Sequence, residues 1–156
     1  PTRRSSDLMY GMSMGAATVL QVSGEPDLPH QVKAVIADSA YTNLADETKY
    51  QAKAMYHLPS FPFVNVVSGI SKIRAGYFYG EVSPLKQVSK SSLPTFFIHG
   101  SADDFVPTKM VYPLYRALKA PKLLWVSQGS KHVQSFHDHP VLYRDKIEKF
   151  LSEYDR

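Results

Sequence analysis

The segment Gly11-Met12-Ser13-Met14-Gly15 places a hydroxyl between two glycines in the pattern G-x-S-x-G. A serine hydroxyl becomes a nucleophile when a neighbouring base takes its proton and an acid orients that base. Six histidines could supply the base: His30, His57, His99, His132, His137 and His139. Two adjacent carboxylates, Asp103 and Asp104, share one short polar segment after an apolar run. Together these types point to acyl transfer, in which Ser13 attacks a carbonyl carbon and an imidazole shuttles the proton. Taken alone the pentapeptide is a weak signal. It also describes a small-residue turn before a helix.

Such chemistry needs elements that bring distant residues to one place. Met9 to Gly11 reads as the end of a strand, and Met14 to Val22 as a helix stopped by Gly24. Val32 to Ala37 is a β-branched run ending at Asp38, which predicts a buried strand. Thr42 to His57 predicts a helix, broken by Pro59 and Pro62. From Phe63 onward, Val66, Val67, Ile70, Ile73 and Tyr77 recur every three or four residues, predicting a second amphipathic helix. Thr95 to Ile98 and Leu123 to Val126 predict two more strands. Pro107 and Pro140 each open a helix, the last aligning Tyr143, Ile147, Phe150, Leu151 and Tyr154.

Near-continuously apolar strands separated by helices predict an α/β fold with a parallel sheet covered on both faces. Loops after the carboxyl ends of parallel strands gather on one edge, where active sites form. Ser13, the Asp103-Asp104 pair and His132 each follow such a strand, in the order Ser…Asp…His. The helix after Ser13 aims its N-terminus at the same edge, so the N–H of Met14 is the expected oxyanion donor. The sharp turn requires glycine at both 11 and 15, where a side chain is expected to clash.

The residues between about Tyr41 and Glu81 contain no strand signal and are rich in Tyr and Phe. They read as a helical cap insertion whose aromatic residues pack between cap and sheet. Asp38 is expected to cap the segment that follows it. His137-Asp138-His139 with His132 matches no common zinc spacing, so neither metal nor organic cofactor is expected.

Composition narrows the class. The chain has 156 residues, no Cys, and 18 Lys+Arg against 14 Asp+Glu, a net charge of +4. That length suits one domain. Absence of Cys removes disulfides, thiolate metal sites and cysteine nucleophiles. The small positive surplus is scattered, so nucleic acid is not an expected partner. No apolar run approaches the roughly 18 residues of a membrane span.

The motifs carry a family resemblance that covers nearly the whole chain after Leu8. Gly11-Met12-Ser13-Met14-Gly15-Ala16-Ala17, Ala37-Asp38-Ser39-Ala40-Tyr41-Thr42, Ser83-Pro84-Leu85, and His99-Gly100-Ser101-Ala102-Asp103-Asp104-Phe105-Val106-Pro107 with His132 carry it. The chain resembles the C-terminal portion of α/β-hydrolases of the bacterial prolyl-oligopeptidase-like and dienelactone-hydrolase-like branch. The resemblance implies a serine hydrolase with Ser13 as nucleophile, Asp103 rather than Asp104 as acid, and His132 as base. It implies that His99 bonds the loop presenting Asp103. A small-molecule ester or acyl compound is the implied substrate. Peptidase or acyltransferase activity and a non-catalytic binding module stand as alternatives. Oligomeric state, location and membrane association of a longer parent are left open.

Complete members of that family carry earlier strands and a loop donating a further oxyanion N–H. The expectation is therefore a truncated fold over 9–156, with N-terminal strands missing, whose isolated activity is impaired. Residues 1–8 are polar and aperiodic, and resemble the translation of a sequencing adapter, so they are expected to be a non-native scar.

Overall fold

The structure, a computed structural model, describes residues 7–154. Its centre is a four-stranded, wholly parallel sheet in the order β1-β2-β3-β4, with β1 Asp7–Met12, β2 Val32–Asp38, β3 Thr95–Gly100 and β4 Lys122–Ser127. The strands form where the sequence places its continuous apolar runs. Each runs one to three residues beyond the expected run, because ladder bonds continue past it at one or both ends. At β1 the strand begins at Asp7, whose N–H donates to the Gln31 carbonyl at 2.7 Å. Asp7 and Leu8 thus belong to the sheet, although the sequence sets them with the aperiodic terminus; residues 1–6 lie outside the described residues.

Helices α1 Met14–Val22, α2 Leu44–Tyr56, α3 Ser60–Ala75, α4 Pro84–Val88, α5 Val111–Ala117, α6 Ser135–Asp138 and α7 Pro140–Tyr154 complete the fold. Alternate side chains of a strand point to opposite faces. Val35, Ala37 and Phe97 face one way, against α1, α4 and α5 through Ala16, Leu20, Val88, Val111 and Leu114. Ala34, Ile36, Phe96 and Ile98 face the other way, against Tyr143 and Phe150 of α7. This burial of large apolar side chains on both faces holds the strand ends, and hence the loops after them, in fixed register. On the α7 side, Leu8, Tyr10 and Met12 of the edge strand β1 are exposed.

Residues 41–81 form the helical insertion: α2, α3 and a single 3₁₀ turn at Tyr79–Glu81. Asn43 caps α2, its Oδ1 accepting from the Asp46 N–H at 2.7 Å. Asp38 therefore does not cap this segment. The two prolines do not both end a helix. Pro59 precedes α3, and Pro62 lies inside it beside a kink at Phe61, whose φ of −102° and ψ of 134° are extended. The apolar stripe of α3 is present but does not face a core. Val66, Val67, Ile70 and Ile73 are exposed, as are Phe61, Phe63, Phe78 and Tyr77. Packing of these aromatics between insertion and sheet is thus not what the structure has; Tyr41 alone of those aromatics is buried, with Ala17, Val106 and Met110.

Candidate active site

Ser13 joins β1 to α1 with φ 54° and ψ −119°, a backbone region that L residues rarely occupy. Its N–H donates to the Asp38 carbonyl at 2.8 Å, tying the turn to the end of the neighbouring strand. Glycine at 11 is a steric necessity: a Cβ there would lie 2.3 Å from the Gly15 carbonyl oxygen. Gly15 differs from expectation. A Cβ at 15 would meet nothing within 4 Å, because this residue sits exposed on the first turn of α1. The close approach is thus made by the backbone of Gly15 and the missing side chain of Gly11.

The loop after β3 carries Asp103, and the loop after β4 carries His132. His132 Nε2 lies 2.8 Å from Ser13 Oγ, and its Nδ1 lies 2.8 Å from Asp103 Oδ2. The structure therefore brings together Ser13, His132 and Asp103, residues 119 and 29 positions apart pairwise. Met14, the first residue of α1, has an N–H that helix geometry leaves without an intrahelical acceptor. Asp104 faces outward, and its backbone carbonyl accepts from the Tyr50 hydroxyl at 2.7 Å.

Asp103 is held on all sides. Its Oδ1 accepts from the N–H groups of Phe105 at 3.1 Å and Val106 at 2.8 Å. His99, fully buried, lies with Nε2 3.3 Å from Asp103 Oδ2 and 2.9 Å from the Val106 carbonyl. Burial by itself pushes this carboxyl up. The bonds from His132, His99 and Val106 outweigh it and hold Asp103 far below the ordinary carboxylate range. An ionised acid beside Nδ1 orients the ring and stabilises an imidazolium when one forms. The Phe105 ring lies tilted against the imidazole, the ring centres 4.9 Å apart.

The two loops are knitted together. Ser101 N–H donates to the Ser127 carbonyl and Ala102 N–H to the Ser130 carbonyl, both at 2.9 Å. Ser101 Oγ accepts from Gly129 N–H at 2.8 Å, and the Ser127 and Ser130 hydroxyls are 2.9 Å apart. A Cβ on Gly100 would lie 2.2 Å from the Ser130 carbonyl oxygen, so glycine is what allows the loops to touch.

A second buried group sits beneath the elbow. Asp38 accepts from the Tyr143 hydroxyl at 2.9 Å and the Ser39 hydroxyl at 3.0 Å, and Tyr143 is 2.8 Å from Tyr10 Oη. Burial pushes the Asp38 carboxyl up, against those two bonds. Sequence reasoning missed this chain, since Asp38 and Tyr143 are 105 positions apart. The other histidines lie apart from Ser13. His30 and His57 are exposed, His137 pairs with Asp138 at 3.2 Å, and His139 Nε2 lies 3.1 Å from the Gln128 carbonyl. Among the described residues, no three His, Asp or Glu side chains gather as metal ligands would.

No protein-family model matches the chain. The uncharacterized protein YqkD of Bacillus subtilis is 32% identical over 143 residues, which is 92% of this chain and 47% of YqkD. The chain thus spans about half the length of the curated relatives it matches. Among solved structures, the Pyrococcus furiosus esterase Pf2001 superposes with a TM-score of 0.68 at 21% identity, covering 94% of this chain and 53% of its own. The Pyrococcus horikoshii acylaminoacyl peptidase gives 0.69 at 16% identity, covering 96% and 24%. MGS-MChE2, an α/β-hydrolase enzyme from the sediment metagenome of the Mar Chica lagoon in Morocco, gives 0.65 at 18% identity, covering 96% and 63%.

Proposed function

The chain has the α/β-hydrolase fold, and on that premise we propose that it is part of a serine hydrolase that cleaves carboxylic esters. The observation that carries the reading is the unbroken line Ser13 Oγ–His132–Asp103, two contacts of 2.8 Å at a strained strand–helix turn. In this reading Ser13 Oγ attacks the carbonyl carbon while its proton passes to His132 Nε2. The carbonyl oxygen becomes an oxyanion facing the Met14 N–H at the N-terminus of α1. On collapse, the C–O bond to the alcohol breaks and His132 returns the proton to the departing oxygen. Water then attacks the acyl group on Ser13, giving its proton to His132, which passes it to Ser13 Oγ as the acid is released. Asp103 stays ionised throughout and keeps the Nδ1–H tautomer. The helical insertion serves as a cap beside this edge.

Similarity to the acylaminoacyl peptidase supports a second reading, in which the same three residues cleave an amide. Both readings need Ser13 as nucleophile, so one experiment tests their common part. A fluorophosphonate probe is expected to label the purified protein at Ser13, and Ser13→Ala to lose the label. Label found on another residue, with Ser13→Ala still labelled, contradicts both. Parallel turnover of p-nitrophenyl esters and aminoacyl amides then separates them.

A further inference from the structure

Outside the line from Ser13 to Asp103, one buried carboxyl has unexplained surroundings. Glu47 on α2 is 6% exposed, and among the described residues its Oε2 has no partner. Its Oε1 accepts a 2.8 Å bond from the amide nitrogen of Gln51, one turn further along the helix. A side-chain amide carries two hydrogens. The second goes to the carbonyl oxygen of Phe105. Beside it, the Tyr50 hydroxyl donates to the Asp104 carbonyl at 2.7 Å. Helix α2 thereby grips two successive carbonyls in the loop that presents Asp103.

Phe105 in turn touches both partners of the imidazole–carboxylate pair. Its N–H donates to Asp103 Oδ1 at 3.1 Å, and its ring lies 4.9 Å from that of His132. A shift of residue 105 would change the direction of one acceptor lobe of the acid and the space open to the base. We infer that Gln51, oriented by Glu47, is a positioning residue that fixes the Phe105 carbonyl and so keeps Asp103 and His132 aligned on Ser13. The inference rests on the reading of Ser13 as nucleophile. Neither Gln51 nor Glu47 touches the reacting atoms. The titratable groups acting on Glu47 are His132, Asp103, His99 and Tyr41. Burial pushes its carboxyl up. Gln51 is the neutral donor that meets Glu47 whether or not it carries a proton.

The test measures ester turnover per active site, with sites counted by the fluorophosphonate, beside the low-field proton resonance of His132 Nδ1–H. Gln51→Ala is expected to lower kcat about tenfold to hundredfold, the cost of a misplacement of about 1 Å. KM should change less than about twofold, and the resonance should shift or broaden. The swap Glu47→Gln with Gln51→Glu rebuilds an amide-to-carboxylate bond within α2 but leaves the Phe105 carbonyl without its donor. It is expected to regain thermal stability and to stay low in kcat. Recovery of kcat in the swap overturns the inference, as does Gln51→Ala with unchanged kcat per titrated site and an unchanged resonance. Unlabelled Ser13 in the unsubstituted protein overturns the hydrolase reading instead, and the His132 resonance still reports on the grip of α2.

Discussion

Around Asp103 and His132, backbone and side-chain polar groups of two loops bond to one another across a gap too narrow for a Cβ at residue 100. Along α3, by contrast, Val66, Ile70 and Ile73 are 56%, 50% and 87% exposed, although their spacing is as regular as in any core helix. One region is determined many times over, by a buried sheet beneath it and by bonds among its own residues. The other has the periodicity of a packed helix, yet among the described residues its stripe is left exposed and only Val64 of α3 is buried. Regular spacing reports that a helix forms; it does not report what the helix packs on. The insertion meets the Asp103 loop through the polar grip of Tyr50 and Gln51 and through a small apolar cluster of Tyr41 and Leu44 with Val106 and Met110.

The difference can be broken first at the acid. Asp103→Asn is expected to lower turnover roughly 10³–10⁴-fold, because an amide no longer selects the productive imidazole tautomer. Asp104→Asn should cost less than about threefold, since its side chain makes no bond to His132. Kinetics of the two variants side by side measure this. Equal losses would remove the distinction between the held and the exposed carboxylate.

Stability offers the next contrast. Phe97 is fully buried in β3, and Phe97→Ala should destabilise by about 3–5 kcal/mol. Phe61→Ala in α3 should stay within about 0.5 kcal/mol, as befits a side chain already in water. Denaturant unfolding of both variants checks the pair. A loss above about 2 kcal/mol at Phe61 would show that the α3 face is covered in solution.

A smaller effect concerns acid. The folded Asp103 carboxyl ionises at lower pH than an unfolded one, whose ordinary value is 3.8. Its bonds therefore contribute stability in full above about pH 4, and that contribution is lost as pH falls from there toward the depressed folded value. Thermal melts across this range should show a steeper decline for the parent than for Asp103→Asn. Parallel curves would mean that the bonds to His132, His99 and Val106 do not stabilise the ionised form.

Much of this contrast was legible in the sequence, for reasons that differ by residue. Val32–Asp38 and Thr95–Gly100 announce buried parallel strands because both faces of such a strand need apolar side chains. The placement of Ser13, Asp103 and His132 on one edge follows from that sheet, since each residue comes directly after a strand. The five-residue α4 escaped notice because it is shorter than any window in which a period can be seen. Asp38 with Tyr143, and Gln51 with Phe105, escaped because their partners are 105 and 54 positions away and leave no local pattern. The freedom at Gly15 was hidden for a related reason. Which of two glycines makes room depends on the direction of each Cβ, and that is fixed by the turn and not by the pentapeptide.

The central claim is that Ser13 carries the acyl group during turnover. Acid-quenched mass spectrometry of the protein mixed with a p-nitrophenyl ester tests it most directly. The account predicts an acyl group on the peptide containing Ser13, formed before steady turnover and missing from Ser13→Ala. An acyl group on another residue, or ester hydrolysis that persists undiminished in Ser13→Ala, would contradict it.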